Sequence, residues 1–238
     1  ESVHDNWFEI LRTERLDSRE EAEALLAQLQ SGATYTVTLD QSSEIQLADN
    51  LTDTFQPAAG GTFTDVPATH WAAGAVEFVT SQGLLQGTGT STFAPGQPMT
   101  RAMLVTALWR EAGSPVVNYA MDFDDVDEDQ WYTEAVRWAA SEGIVTGTGK
   151  GFSPDAALTR ESLAAILFRY AGGQADADQL GSYADGAGVS AWAREAMNWA
   201  VAQGLITGKS GGRLDPGGTA SRAEVSAILM RYVQSAQA

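Results

Sequence analysis

Residues 63–110 read FTDVPATHWAAGAVEFVTSQGLLQGTGTSTFAPGQPMTRAMLVTALWR, and the pattern of this stretch is written twice more in the same chain. Its Trp71 recurs as Trp131 and Trp192, at intervals of 60 and 61 residues. Its Thr100-Arg101 recurs as Thr159-Arg160 and Ser221-Arg222, at intervals of 59 and 62. Self-similarity at a fixed period marks one supersecondary unit built three times. A triplicated unit offers three similar surfaces, which suits repeated binding better than a single catalytic centre.

Each copy begins at an aromatic-x-Asp sequence: Phe63-Thr64-Asp65, Phe123-Asp124-Asp125 and Tyr183-Ala184-Asp185. A first helix follows, read from the i, i+4, i+7 sets Trp71/Ala75/Phe78, Trp131/Ala135/Trp138 and Trp192/Ala196/Trp199. Gly83, Gly143 and Gly204 end it, where a left-handed residue costs little without a Cβ. A Gly-rich loop comes next, carrying Gly87 and Gly89, Gly147 and Gly149, or Gly208 and Gly211. It closes at Phe93-Ala94-Pro95, Phe152-Ser153-Pro154 and Leu214-Asp215-Pro216. Thr100, Thr159 and Ser221 are natural N-caps for a second helix. Only Ser221 has a Glu three residues on, Glu224, with which to form a reciprocal capping box. The fold is therefore expected to be mainly α, with six helices closing around a shared pseudo-threefold core, since one helix pair cannot bury its own apolar face. The third copy has Gly186-Ala187 after its Asp, and a looser lead-in is expected there.

Composition narrows the function. The 238 residues carry a formal charge of −17 and no Cys, so disulfides and thiolate metal sites are excluded. The charge opposes nucleic acid and anionic membranes. No apolar run approaches the roughly 18 residues of a membrane span, so no membrane insertion is expected. The sequence starts without a basic-then-apolar leader and is read as a processed product or a fragment. Residues 63–238 hold 9 Arg, six of them at two equivalent positions per repeat: Arg101, Arg160 and Arg222, then Arg110, Arg169 and Arg231. The second set falls near helix C-termini, where a cation offsets the dipole.

Residues 1–62 do not repeat. Asp17 or Ser18 can cap a helix running to Leu29, residues 33–40 alternate like a half-buried strand, and Glu44–Leu47 can pair with it. This small α+β segment reads as the end of a preceding domain. The remaining divisions are 63–111, 123–170 and 183–232.

The ordered set Phe-x-Asp-Val, Trp, Gly loop, Phe/Leu-x-Pro and Thr-Arg, three times over, resembles the S-layer homology (SLH) domain. The resemblance covers about 70% of the chain, and Ser221-Arg222-Ala223-Glu224 is its closest match to the family's Thr-Arg-Ala-Glu signature. It implies a pseudo-threefold trimer of repeats on one chain. It also implies an exported bacterial module, anchored at the cell surface to secondary cell-wall polysaccharide, often through a pyruvylated sugar. The ligand would lie between adjacent repeats, with the signature Arg and the Gly loop contributing. Arg101, Arg160 and Arg222 are thus candidate ligand contacts, the more so because a helix N-terminus favours an anion and a guanidinium fork suits a carboxylate. Trp71, Trp131 and Trp192 are read first as core and second as sugar platforms; Trp138 and Trp199 are read as core. Gly87, Gly89, Gly147, Gly149, Gly208 and Gly211 are read either as turns or as backbone contacts to ligand.

Asp65, Asp125 and Asp185 are expected to cap the first helix or bind loop backbone. The acidic run Asp122–Asp129 fails the EF-hand pattern, with Asp127 where Gly belongs and Thr133 where Glu belongs. No catalytic motif stands out, and His4 and His70 are the only histidines. No enzyme activity, cofactor or metal is expected. The alternative to wall anchoring is a protein-binding or self-assembly module of a bacterial envelope layer, with an envelope protein as partner.

Overall fold

A computed structural model describes residues 63–147, 151–174 and 177–236. The helix and hairpin expected within 1–62, and Gly149, lie outside these residues. Six helices carry the fold: α1 Ala73–Ser81, α2 Arg101–Glu111, α3 Thr133–Ser141, α4 Arg160–Tyr170, α5 Arg194–Ala202 and α6 Arg222–Ala236. Extended pairing among the described residues is confined to isolated bridges, so the fold is mainly α.

The three first helices, α1, α3 and α5, each begin two residues after their Trp. Trp71 and Trp131 sit in turns, and Trp192 sits in a single 3-10 turn, Ala191–Ala193. The buried face keeps Ala75, Ala135 and Ala196 of the expected stripe but is centred one residue later, on Ala72/Val76/Val79, Tyr132/Val136/Ala139 and Ala193/Met197/Ala200. Trp71, Trp131 and Trp192 are therefore 65%, 59% and 58% exposed, and the core reading for them is corrected. Trp138 and Trp199 lie on the flank of the stripe and are buried, as expected. Gly83, Gly143 and Gly204 terminate these helices at φ 68°, 69° and 67°, the left-handed region that glycine enters freely.

The two helices of one repeat do not pair with each other. Instead α1 packs on α6, α3 on α2 and α5 on α4, so each first helix rests on the second helix of another repeat. Backbone bonds join the repeats in the same sense. The Leu158 N–H donates to the Met99 carbonyl (2.8 Å), Ala220 N–H to Leu158 (2.8 Å) and Met99 N–H to Ala220 (2.9 Å), a closed cycle through three equivalent positions. Met99, Leu158 and Ala220 are fully buried, as are Phe93, Phe152 and Leu214 from the loop ends. One continuous apolar cluster spans all three repeats.

The third lead-in is not looser than the others. Gly186–Gly188 forms a 3-10 turn in which Gly186 is buried, and a Cβ there would collide with the Leu180 carbonyl. Glycine stands at that position because the chain passes too close for a side chain.

Candidate functional site

Three equivalent junctions form where a second helix begins against the Gly loop of the next repeat. At each, the hydroxyl of the N-cap accepts from the backbone N–H three residues on: Met103 to Thr100, Ser162 to Thr159 and Glu224 to Ser221, all at 3.2 Å. The two preceding N–H groups donate across the junction. Arg101 N–H reaches Ala156 O and Ala102 N–H reaches Pro154 O; Arg160 and Glu161 reach Gly218 and Pro216; Arg222 and Ala223 reach Gln97 and Pro95. A helix start normally leaves such donors orphaned, and here the neighbouring repeat uses them. The Glu224 carboxylate accepts from Ser221 N–H at 2.8 Å, completing the capping box that the sequence allowed to the third repeat.

The signature guanidinium groups point into the same junctions. Arg101 donates from Nε to Phe152 O (2.9 Å) and from Nη2 to Thr146 O (3.4 Å). Arg160 does so to Leu214 O (2.7 Å) and Thr207 O (3.1 Å). Arg222 does so to Phe93 O (2.8 Å) and Gln86 O (2.5 Å). Each therefore brackets the next repeat's Gly loop at both ends. Arg222 also lies over the Phe93 ring at 4.3 Å, and Arg101 over Phe152 at 4.8 Å, contacts that gain strength when desolvated. Arg160 and Arg222 are only 4% and 3% exposed, while Arg101 is half-buried. Burial lowers the pKa of all three, yet an Arg stays cationic in a protein.

The aspartates hold the other side of the loop closure. Asp65 accepts from Phe93 and Ala94 N–H (2.9 and 2.7 Å), Asp125 from Phe152 and Ser153, and Asp185 from Leu214 and Asp215. Of the two roles expected for them, this is the loop-backbone one. Ala94, Ser153 and Asp215 adopt φ 55°, 60° and 54°, so each Asp pins a strained left-handed residue. Burial tends to raise the Asp65 and Asp185 pKa, but the backbone N–H groups outweigh it and hold both carboxyls below their ordinary value.

The loop glycines have steric reasons of their own. A Cβ on Gly87 would come within 2.7 Å of the Phe63 ring, and one on Gly208 within 2.8 Å of Tyr183. Gly89 passes close to the Thr92 hydroxyl, and Gly211 has φ 77°. Gly147 is half-buried at the end of its described stretch. The structure thus brings Arg101 to the loop of Gly147, Arg160 to that of Gly208 and Gly211, and Arg222 to that of Gly87 and Gly89. The three leading Trp stand exposed on the lead-in turns. Arg110, Arg169 and Arg231 donate to Leu84, Ile144 and Leu205 carbonyls just past the first helix of their own repeats. They act as local clasps rather than free dipole partners.

One cluster escaped the sequence. Lys209 Nζ lies 3.0 Å from Asp215 and 3.2 Å from Glu224, whose carboxylate is also 3.4 Å from Arg160. Its members lie in different segments, and the signal available was that Glu224 has Met103 and Ser162 as its counterparts. Among the described residues no helix is long and apolar enough to cross a membrane.

A model of the S-layer homology domain matches residues 62–102, 122–164 and 182–226, together just over half of the chain. The chain is 28% identical over 182 residues to the S-layer protein sap of Bacillus anthracis, covering 73% of this chain and 21% of that protein. It is 30% identical over 172 residues to an amylopullulanase of Thermoanaerobacterium thermosulfurigenes, covering 71% and 9%. It is 30% identical over 176 residues to the surface-layer 125 kDa protein of Lysinibacillus sphaericus, covering 71% and 14%. The matches span about a fifth or less of each relative's length.

Proposed function

Because the chain belongs to the S-layer homology domain family, we propose that residues 63–111, 123–170 and 183–232 form a pseudo-threefold trimer of repeats that anchors a bacterial surface protein to an anionic cell-wall polysaccharide. The module is non-catalytic in this reading. Relatives as different in name as an S-layer protein and an amylopullulanase share this segment, which is a small fraction of either. What they have in common is then attachment rather than turnover. Extracellular placement at the bacterial surface follows from the same reading.

The observation that carries it is the exposure of Trp71, Trp131 and Trp192 at equivalent positions, where most large apolar side chains of the described residues are buried. Exposed aromatic surface is informative where it recurs, and a flat indole complements the C–H face of a sugar ring. The polymer's carboxylates, such as pyruvate ketals, would be read at the junctions where Arg101, Arg160 and Arg222 meet the Gly loops. Local Arg can outweigh the net negative charge because distant charges are screened within about 8–10 Å.

The test is sedimentation with purified secondary cell-wall polysaccharide, before and after removal of its pyruvate. The Trp71→Ala/Trp131→Ala/Trp192→Ala variant is expected to lose about tenfold or more in affinity, roughly 1.4 kcal/mol, with its thermal unfolding nearly unchanged. Retention should also weaken with salt. Full retention by the folded triple variant would overturn the indole assignment, and no retention of the native chain would overturn anchoring. Replacing the three Arg is the poorer experiment, because they also hold the loops.

A further inference from the structure

We propose that Glu161 is a positioning residue for Trp192: its carboxylate fastens the turn that carries this indole to the first turn of α4, beside Arg160. The inference rests on the reading that the exposed indoles meet the wall polymer, and it names what holds one of them in place.

Both carboxylate oxygens of Glu161 are taken by a single residue of the third repeat. Ser190 N–H donates to Oε2 at 3.0 Å, and Ser190 Oγ donates to Oε1 at 2.9 Å. Glu161 is only 9% exposed, and a charge so buried is costly unless it is bonded. Its place in the first turn of α4, at the positive end of the helix, favours the carboxylate further. Ser190 opens the 3-10 turn Ala191–Ala193, yet its hydroxyl does not cap that turn. Ala193 N–H closes it by donating to Ser190 O at 2.9 Å, and Ala193 is fully buried. Trp192 therefore leaves a backbone held on both sides, by the carboxylate at Ser190 and by the core at Ala193.

The other two lead-ins are held from within their own repeats. Ala72 N–H donates to His70 Nδ1 at 3.1 Å, and the His70 ring stacks on Trp71. Thr133 Oγ1 accepts from Gln130 N–H at 3.2 Å and donates to Asp127 O at 2.6 Å. The third lead-in is longer by one residue. Trp192 comes seven positions after Asp185, whereas Trp71 and Trp131 come six after Asp65 and Asp125. Its tie comes from the second repeat instead. Ala102 and Ala223 stand where Glu161 does, and a methyl group cannot make that bond.

Arg160 and Glu161 are consecutive, and both reach from the second repeat into the third. Arg160 brackets the third repeat's Gly loop through Leu214 O and Thr207 O, while Glu161 holds that repeat's Trp turn. One dipeptide thus aligns the two parts of the third repeat that the anchoring reading gives to the ligand.

The experiment labels the seven Trp with 5-fluorotryptophan and follows them by 19F NMR, the Trp71, Trp131 and Trp192 signals being assigned by Trp→Phe changes. In Glu161→Ala, which carries the residue of the other two repeats, the Trp192 signal is expected to shift and narrow as the turn is released. The Trp71, Trp131 and buried Trp199 signals should stay. Glu161→Gln, whose amide oxygen can still accept from Ser190, should return Trp192 toward its native position. Ser190→Ala severs one of the two bonds from the other side and should move Trp192 the same way, by less. In sedimentation with purified secondary cell-wall polysaccharide, Glu161→Ala is expected to weaken binding about threefold or more, and to cost nothing further once Trp192 is Ala, since residues of one network are not additive. A Trp192 signal unmoved in both Glu161→Ala and Ser190→Ala overturns the proposal. So does an affinity loss of the same size with and without the Trp192 indole, because Glu161 would then act elsewhere. Failure of the native chain to sediment overturns the anchoring reading alone, because the 19F comparison judges the tie without any polymer.

Discussion

Arg222 shows how one residue type can be claimed by two roles. Its guanidinium is bonded to Phe93 O and Gln86 O and covers the Phe93 ring, so its first task is to fasten the third repeat to the first. Arg222→Ala would leave two buried carbonyls unpaired and a cavity, and is expected to cost about 3 kcal/mol, checked by denaturant unfolding. Arg222→Lys should recover only part of this, because an ammonium lacks the fork that spans both carbonyls. Asp65 and Asp185 make a complementary case. Each carboxyl is held below its ordinary range by backbone donors that outweigh burial. The stabilisation is therefore full above the unfolded carboxylate pKa of about 3.9 and is lost as pH falls through the lower folded value. Stability is expected to drop steeply below about pH 4. In Asp65→Asn that acid limb should shrink, which urea unfolding across pH 2–6 would measure. The residue types were legible at this scale, since the Asp, Arg and Pro positions recur. Their partners were not, because they lie 25 to 136 residues away.

At the scale of the element, the second helices were read with the right caps. Thr100, Thr159 and Ser221 are fixed by a local rule, the satisfaction of the N3 backbone donor, and local rules are visible in sequence. Ser221→Ala should cost about 1 kcal/mol and no more than Thr100→Ala, because residue 221 keeps the backbone N–H that donates to the Glu224 carboxylate; paired thermal melts would rank them. The first helices depart from the expected stripe at its leading Trp, while Ala75, Ala135 and Ala196 are buried as that stripe requires. A bulky Trp draws the eye to the 71/75/78 register, but the backbone turns helical only after it, and the buried stripe starts at Ala72. Burial of that register is set by which face meets α6, α2 or α4, and periodicity alone does not choose between adjacent faces when small residues flank a Trp. The loop glycines had two open readings. Gly87 and Gly208 now have a steric reason, the ring of Phe63 or Tyr183 pressed against them. Gly87→Ala is expected to destabilise by about 1–3 kcal/mol as an overpacked site, read from the shift in unfolding midpoint.

At the scale of the whole molecule, the helices of a repeat find their partners in other repeats, and the backbone cycle through Met99, Leu158 and Ala220 draws on all three at once. Removing one repeat should therefore not leave two thirds of the stability. A chain ending at residue 170 deprives α1 of α6 and α4 of α5, and cooperative melting is expected to be lost in circular dichroism; a sharp transition in that fragment would show that two repeats suffice. The sequence by itself determined the unit, its number, its helix caps and its family, because period, caps and turn residues are local or self-referential signals. Only the tertiary structure decided that the Trp leading each repeat face outward, that the helix-start donors are spent on a neighbouring loop, and that Glu224 pairs with one signature Arg among three. Those outcomes depend on which segments meet in space, and a triplicated sequence offers each segment several equivalent partners. The choice among them is made by closure of the shared core, which no single repeat encodes.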